Sequence, residues 1–362
     1  MLFTPLGSPV RPVERRGGTP SRALMVLLLG LSTTACRGKS KEHVEYATKV
    51  HPPLMAATSS TAQPCAADRL SAQTVRLQSS PGIKVMVTYM RSDRPSKGAV
   101  VLMHGAGSPS SSIWDLNFED YSVMRRLACE GFDSYALDAR GFGGSDKPPA
   151  DPSGQPAAVR AVDVMSDMRA AVAFARQTSK VTQVDVIGWS WGCVVSGMYA
   201  GLHPDNVRRL LLFAPVYDRK WKSRHAKTSK WKALDKELFY KYHDPKRERR
   251  EVLDLHVQQL FQYAEPDGRL RISNGPYFDI YGPEGPVWDP AKVRAPTRVL
   301  RGDADRASKA EAAQRLTAAL ANSSHAEHIV LPGAGHFAFR TLRYRAFQDA
   351  VVNFLTKPLP SP

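Results

Sequence analysis

The chain has 362 residues, 43% apolar and 23% charged, which is enough for one large domain or two modest ones with a sizeable core. No apolar run reaches transmembrane length, so a chain that spans the bilayer by helices is excluded as a reading. The formal charge of +16 suits anionic membranes or acidic substrates, but no nucleic-acid motif accompanies it; a basic solvated surface is the plainer reading and no nucleic acid is expected as a partner.

The first element is a leader over residues 1–36. Arg22 precedes an apolar stretch from Ala23 to Leu31, and small residues follow to Cys36. Basic, apolar and small segments in that order are the logic of a secretory signal. Its end, Leu31-Ser32-Thr33-Thr34-Ala35-Cys36, resembles a bacterial lipobox, which implies acylation of Cys36 and a membrane anchor there. The expectation is an exported bacterial protein, a cell-envelope lipoprotein or a secreted one. Residues 37–72, rich in Ser, Thr, Ala, Lys and Pro without a sustained period, read as a flexible tether.

The folded part should begin near residue 73 with an antiparallel hairpin. Thr74–Gln78 and Ile83–Tyr89 alternate apolar and polar residues around the turn signal Ser80-Pro81-Gly82. Apolar runs suited to strands buried on both faces follow at Ala99–Met103, Asp133–Leu137, Val184–Ile187, Arg209–Phe213, Thr297–Leu300 and His328–Leu331. Helical stretches at 118–130, 158–179, 191–202, 308–321 and 341–356 separate them. This predicts an α/β fold: a mostly parallel central sheet with helices on both faces, built from residues 73–217 and 291–358. Residues 218–290 interrupt the alternation; they are too long for a plain loop and read as a largely helical cap, with helix in the first half and turns in the second.

Four cysteines, Cys36, Cys65, Cys129 and Cys193, have no metal-ligand spacing and form no disulfide framework; a Cys65–Cys129 bridge is conceivable in an oxidising compartment, but unpaired thiols are the expectation.

The chemistry centres on Gly188-Trp189-Ser190-Trp191-Gly192, between a strand and a helix. A serine hydroxyl is a weak nucleophile until it is held beside a base. A sharp turn at a strand end lifts its Oγ clear of the sheet, and the following helix aims N–H groups at a developing oxyanion. His104-Gly105-Ala106-Gly107 follows a buried strand, and Asp138-Ala139-Arg140-Gly141-Phe142-Gly143-Gly144-Ser145 follows the next. Gly302-Asp303-Ala304-Asp305 ends the next-to-last strand, leaving two candidate acids, and Gly335-His336 follows the last.

These motifs, in this order, resemble the α/β-hydrolase family over roughly residues 80–356. The resemblance implies a triad of Ser190, Asp305 and His336: the family's spacing from Gly302 selects Asp305 over Asp303. It also implies an oxyanion hole from the N–H groups of Ala106 and Trp191, and bracing roles for His104, Asp138 and Arg140. The implied reaction is hydrolysis of a small-molecule carboxylic ester through an acyl-enzyme, with no cofactor and no metal. A proline iminopeptidase-like peptidase and a cofactor-free haloperoxidase are alternatives on the same scaffold, and a non-enzymatic binding protein is a third class. Trp189, Tyr277 and Trp288 are the leading substrate-binding candidates, with Trp191, Trp221, Trp231 and Phe278 behind them.

Overall fold

A computed structural model describes residues 65, 70–150, 157–217, 229–241, 245–282 and 286–358. The leader over 1–36 with Cys36, most of the tether and Trp221 lie outside the described residues. The chain runs β1 (Gln73–Ser80), β2 (Ile83–Met90), β3 (Gly98–Met103), α1 (Ser111–Trp114), α2 (Val123–Cys129), β4 (Phe132–Leu137), α3 (Met165–Ser179), β5 (Val184–Trp189), α4 (Trp191–Leu202) and β6 (Val207–Phe213). Within the insert come β7 (Trp231–Leu234), α5 (Glu237–Tyr240), α6 (Arg250–Phe261), β8 (Leu270–Ser273) and α7 (Gly275–Tyr281). The core resumes with β9 (Thr297–Gly302), α8 (Ala310–Ala319), β10 (Ala326–Leu331) and α9 (Tyr344–Thr356).

Eight strands form one sheet in the order β1-β2-β4-β3-β5-β6-β9-β10. The opening hairpin is antiparallel, with Val75 opposite Val87 and Leu77 opposite Val85, and β2 runs antiparallel to β4. From β4 to β10 every pairing is parallel. The continuous apolar runs have their reason here: β3, β4, β5 and β9 are buried at every position, so both faces favour apolar side chains, and polar ones such as Asp133, Asp185 and Arg298 are held by partners. One face packs against α3, α4 and α8, the other against α1, α2 and α9. The carboxyl ends of the parallel strands point the same way, and the loops beyond β3, β5, β9 and β10 converge there.

Several boundaries differ from the sequence reading. The helix expected at 118–130 starts at Val123, because the Ser122 hydroxyl caps it by accepting from the Arg125 N–H at 3.0 Å. The one expected at 158–179 starts at Met165: Val159 N–H donates to Ser273 Oγ and Ala161 N–H to Asp279, so insert side chains hold this segment in turns. The first half of the insert is not continuous helix. Trp231–Leu234 is a strand that pairs with Leu270–Ser273, a partner too distant for a local pattern to reveal. The turn-rich second half contains α7, with Pro276 in its first turn, where a missing N–H costs nothing.

Cys65 and Cys129 are joined in a disulfide, with Cα atoms 5.4 Å apart, against the expectation of free thiols. The bridge ties the chain ahead of β1 to the last residue of α2. Cys193 is free and buried.

Candidate active site

The turn between β5 and α4 is tight by necessity. Ser190 has φ +57° and ψ −118°, a left-handed backbone that costs a non-glycine residue strain. A Cβ at Gly188 would fall 2.3 Å from the Gly192 carbonyl oxygen, and one at Gly192 would fall 2.5 Å from that of His104. Only glycine fits at either place. The Ser190 N–H donates to Phe213 O at 2.9 Å, and Cys193 N–H donates to Ser190 O at 3.0 Å, so the turn is closed on both sides.

His336 meets this serine from the loop after β10. Its Nε2 lies 3.0 Å from Ser190 Oγ, and its Nδ1 lies 2.9 Å from Asp305 Oδ2. A carboxylate at Asp305 accepts from Nδ1–H, which leaves Nε2 to accept the serine proton. The other Asp305 oxygen accepts from Ala307 N–H at 2.7 Å and Ser308 N–H at 2.9 Å, which fixes its plane. The Asp305 side chain is fully buried, whereas that of His336 is 17% exposed, so solvent and ligand reach the imidazole but not the acid.

The acid and base loops are laced together. Ala304 N–H donates to Ala334 O, Asp303 N–H to Leu331 O, and Gly333 N–H to Asp303 Oδ1. Asp303 therefore braces the loop of His336 while Asp305 faces the ring. A Cβ at Gly302 would lie 1.9 Å from Ala334 O, so the close approach of the two loops demands glycine there.

The loop after β3 passes beside Ser190: a Cβ at Gly105 would sit 3.3 Å from the Ser190 Cβ. Ala106 follows on that loop, and Trp191 is the first residue of α4, where helix geometry leaves the N–H without an intrahelical partner. The Trp191 N–H thus borders the serine, and Ala106 follows the glycine that packs against it. His104 braces this loop: Nδ1–H donates to Gly105 O at 2.7 Å, and Nε2 accepts from Ala139 N–H at 3.1 Å. Complete burial holds its pKa down at about 4, so it is neutral near pH 7. Asp138 accepts from Ser110 and Gly144 N–H groups, and Arg140 pairs with buried Asp167.

The aromatic candidates separate. Trp189 is 3% exposed and its indole N–H donates to His336 O at 2.8 Å, so it pins the histidine loop from beneath. Trp288 is packed over Gly197 of α4, and Trp191 turns its buried ring toward Asp279, to which it donates at 2.9 Å. Trp231 lies against Gly141. Tyr277 and Phe278 sit half-buried on α7, and Tyr277 accepts from Lys232 Nζ at 2.8 Å. None of these lines the cleft of about 970 Å³ that opens beside His336; its walls come from the loops after β9 and β10 and from residues 246–248 of the insert.

Sequence reasoning missed Asp279. Its carboxylate accepts from the Trp191 indole, from Ala161 N–H and from Arg160, joining α7 to the residue that follows Ser190. Burial raises its pKa, while Arg160 and the Trp191 N–H oppose that rise. No local signal marks it, because its partners are far away in sequence. Ile272 of β8, whose side chain lies within contact distance of a Cβ built at Gly107, was likewise unmarked.

A family model described as alpha/beta hydrolase fold matches residues 98–341. Among curated proteins, 1-acylglycerol-3-phosphate O-acyltransferase ABHD5 of Rattus norvegicus is 27% identical over 136 residues, 38% of this chain and 34% of that protein. Its Homo sapiens counterpart is 26% identical over 136 residues, 38% of this chain and 35% of that protein. The match thus spans about a third of these relatives' length. Among solved structures, the 2-hydroxy-6-oxo-6-phenylhexa-2,4-dienoate hydrolase of Rhodococcus sp. strain RHA1 superposes with a TM-score of 0.59 at 19% identity, covering 80% of this chain and 100% of that one. An esterase from Exiguobacterium antarcticum gives 0.53 at 20% identity, covering 78% and 99%. At such identities the likeness speaks for the fold alone.

Proposed function

The chain belongs to the α/β-hydrolase fold family, and on that premise we propose that it is a serine hydrolase that cleaves carboxylic esters of small molecules. The observation that carries this reading is the unbroken chain from Ser190 Oγ through His336 to Asp305, set at a strained turn. His336 takes the hydroxyl proton as Ser190 Oγ attacks the acyl carbon. The oxyanion so formed is held by the Ala106 and Trp191 N–H groups, each donor worth about 3 kcal/mol. The carbon–alkoxy bond breaks, and His336 returns the proton to the departing oxygen. Water, activated by the same histidine, then releases the acid and restores Ser190.

A fluorophosphonate probe should label the protein at Ser190 and fail to label Ser190→Ala. Equal labelling of the two would remove Ser190 from the nucleophile's role. Acyl esters of graded chain length, run beside aminoacyl amides, separate the esterase reading from the iminopeptidase-like one. Trp189 and Trp288 support the site from the core in this reading, and Tyr277 from the cap.

We also propose export, with anchoring through Cys36. The Cys65–Cys129 disulfide supports an oxidising compartment. Mass spectrometry of the mature N-terminus tests it: an N-terminal acylated Cys36 is expected, and a chain that still carries residues 1–35 would overturn the anchor.

A further inference from the structure

The cleft beside His336 has a strongly one-sided lining. Lys246, Arg247, Arg306 and Arg343 contribute cations, and Glu248 is the one acid among the lining residues. That acid is already committed: Arg340 of the loop before α9 holds it at 3.2 Å, and both side chains of the pair are about nine-tenths buried. Arg306 and Arg343 are exposed and make no salt bridge among the described residues. The Leu342 N–H donates to Arg247 O at 2.8 Å, so the insert wall and the core wall are clamped at a fixed spacing. The result is a cleft of about 970 Å³ with a cationic lining.

Its position relative to the chemistry gives it a role. In acyl transfer the leaving oxygen must come within hydrogen-bond reach of the base that reprotonates it. That base, on the reading given above, is His336, and His336 with Gly335 and Phe337 forms the wall of this cleft. The acyl carbon would be held at Ser190 and the N–H groups of Ala106 and Trp191, none of which lines the cleft. The alcohol half of the ester therefore projects into the cationic cleft. We propose that this cleft is the leaving-group subsite and that it selects esters whose alcohol carries an anionic group, a phosphate monoester or a carboxylate. Two guanidinium groups that lack an internal carboxylate suit the bidentate recognition of such oxyanions.

The inference rests on the reading of Ser190 and His336 as nucleophile and base, and the test separates the two. Hydrolysis of butyryl glycerol 3-phosphate and of neutral monobutyrin is compared by kcat/KM. The charged ester should be preferred by about tenfold or more, chiefly through KM, and the preference should shrink between about 0.05 M and about 0.5 M NaCl as the charges are screened. In the double variant Arg306→Glu with Arg343→Glu the ratio of the two kcat/KM values should fall by at least about tenfold, one decade being about 1.4 kcal/mol of differential binding. Lys84→Gln, at the far edge of the sheet, should leave the ratio as it was. If the double variant does not fold, Arg343→Gln and the salt series on the wild type carry the same test.

A wild-type ratio near one, or a ratio that the variants do not move, overturns the subsite while leaving Ser190-dependent ester hydrolysis intact. Loss of both substrates' dependence on Ser190 would instead overturn the reading beneath it. Long-chain acyl glycerol 3-phosphate in neutral vesicles forms a second arm. Preference in solution and in vesicles assigns recognition to the anionic alcohol itself; preference in vesicles alone overturns the subsite in favour of attraction to a charged surface.

Discussion

The strand ends that carry the triad and the insert between β6 and β9 are built by opposite rules. At the strand ends each group of the proposed triad lies within a few residues of the strand that positions it: Ser190 directly follows β5, Asp305 lies three residues beyond β9, and His336 lies five beyond β10. In the insert, position comes from afar. Asp279 meets Trp191 across 88 residues, Ser273 meets Val159 across 114, and β7 finds its partner only in β8. On the proposed function, the reaction is encoded locally and the surroundings of the substrate are encoded by tertiary contact. A sequence therefore states its chemistry more readily than its specificity.

The comparison breaks first at the triad, if it is to break. His336→Ala should lower kcat for ester hydrolysis by about 10⁵-fold or more, with the melting temperature little changed, because the ring is partly exposed. Asp305→Asn should cost about 10⁴-fold, since an amide no longer selects the tautomer that faces Ser190. Retention of most activity in either variant would mean that the local geometry is not the machinery.

The elbow gives the next largest effect, and it is one of stability. Gly192→Ala drives a methyl group against the carbonyl oxygens of His104 and Met103, which lie 2.5 and 2.6 Å from the new carbon. Backbone cannot yield as a side chain does, so urea unfolding should show a loss of about 3 kcal/mol. Gly268→Ala is the matched contrast in the insert. Its φ is positive, at 74°, unlike that of Gly192, and it meets nothing within 4 Å, so its cost should be confined to backbone strain, about 1 kcal/mol.

Asp279→Asn probes the seam between the two regions. The amide keeps the volume but loses the charge that Arg160 and the Trp191 indole share. A drop in kcat/KM of about tenfold is expected, from a loosened Trp191 and its N–H, because small misplacements at a reacting centre are costly. Unchanged kcat/KM would confine Asp279 to holding the insert.

The gentlest effect is on pH. Burial holds His104 at about 4 and His256 at about 3, below the ordinary value of 6.5. The unfolded chain thus binds more protons than the folded one as pH falls through 6.5 toward 4. Stability is full above that window and declines within it. His256 lies on α6 of the insert, where Nδ1 is 2.8 Å from Ser112 O, and His104 lies in the core, so both regions should weaken together. Melting curves between pH 7 and 4.5 should show a falling midpoint, and a flat midpoint would mean that neither ring stays neutral.

Legibility followed the same division. The alternation of buried runs with helices gave the parallel sheet, and local motifs placed Ser190, Asp305 and His336 at one end of it. The distinction between Asp303 and Asp305 came from family spacing; the physical ground, that Asp303 is engaged by Gly333 N–H, needs the fold. Ser190 carries strain that no composition reveals, but Gly188 and Gly192 announce it. Trp189 and Trp288 could not be sorted from pocket residues, because an indole in the sequence looks the same whether it meets a ligand or pins a loop. The start of α3 was hidden because Ser273 and Asp279 set it from outside. The Cys65–Cys129 pairing was hidden because only the landing of α2 brings the two together across 64 residues.

That disulfide also decides how the domain bears a pull. β1 is an edge strand, paired on one side only, and a force applied along the chain ahead of it would otherwise unzip it from β2 one hydrogen bond at a time. The bridge diverts such a load at Cys65 into the end of α2, whose apolar face is packed among the central strands and α9. Tension from the N-terminal side is thereby delivered as shear on the packed core, and the edge of the sheet hangs slack beside it.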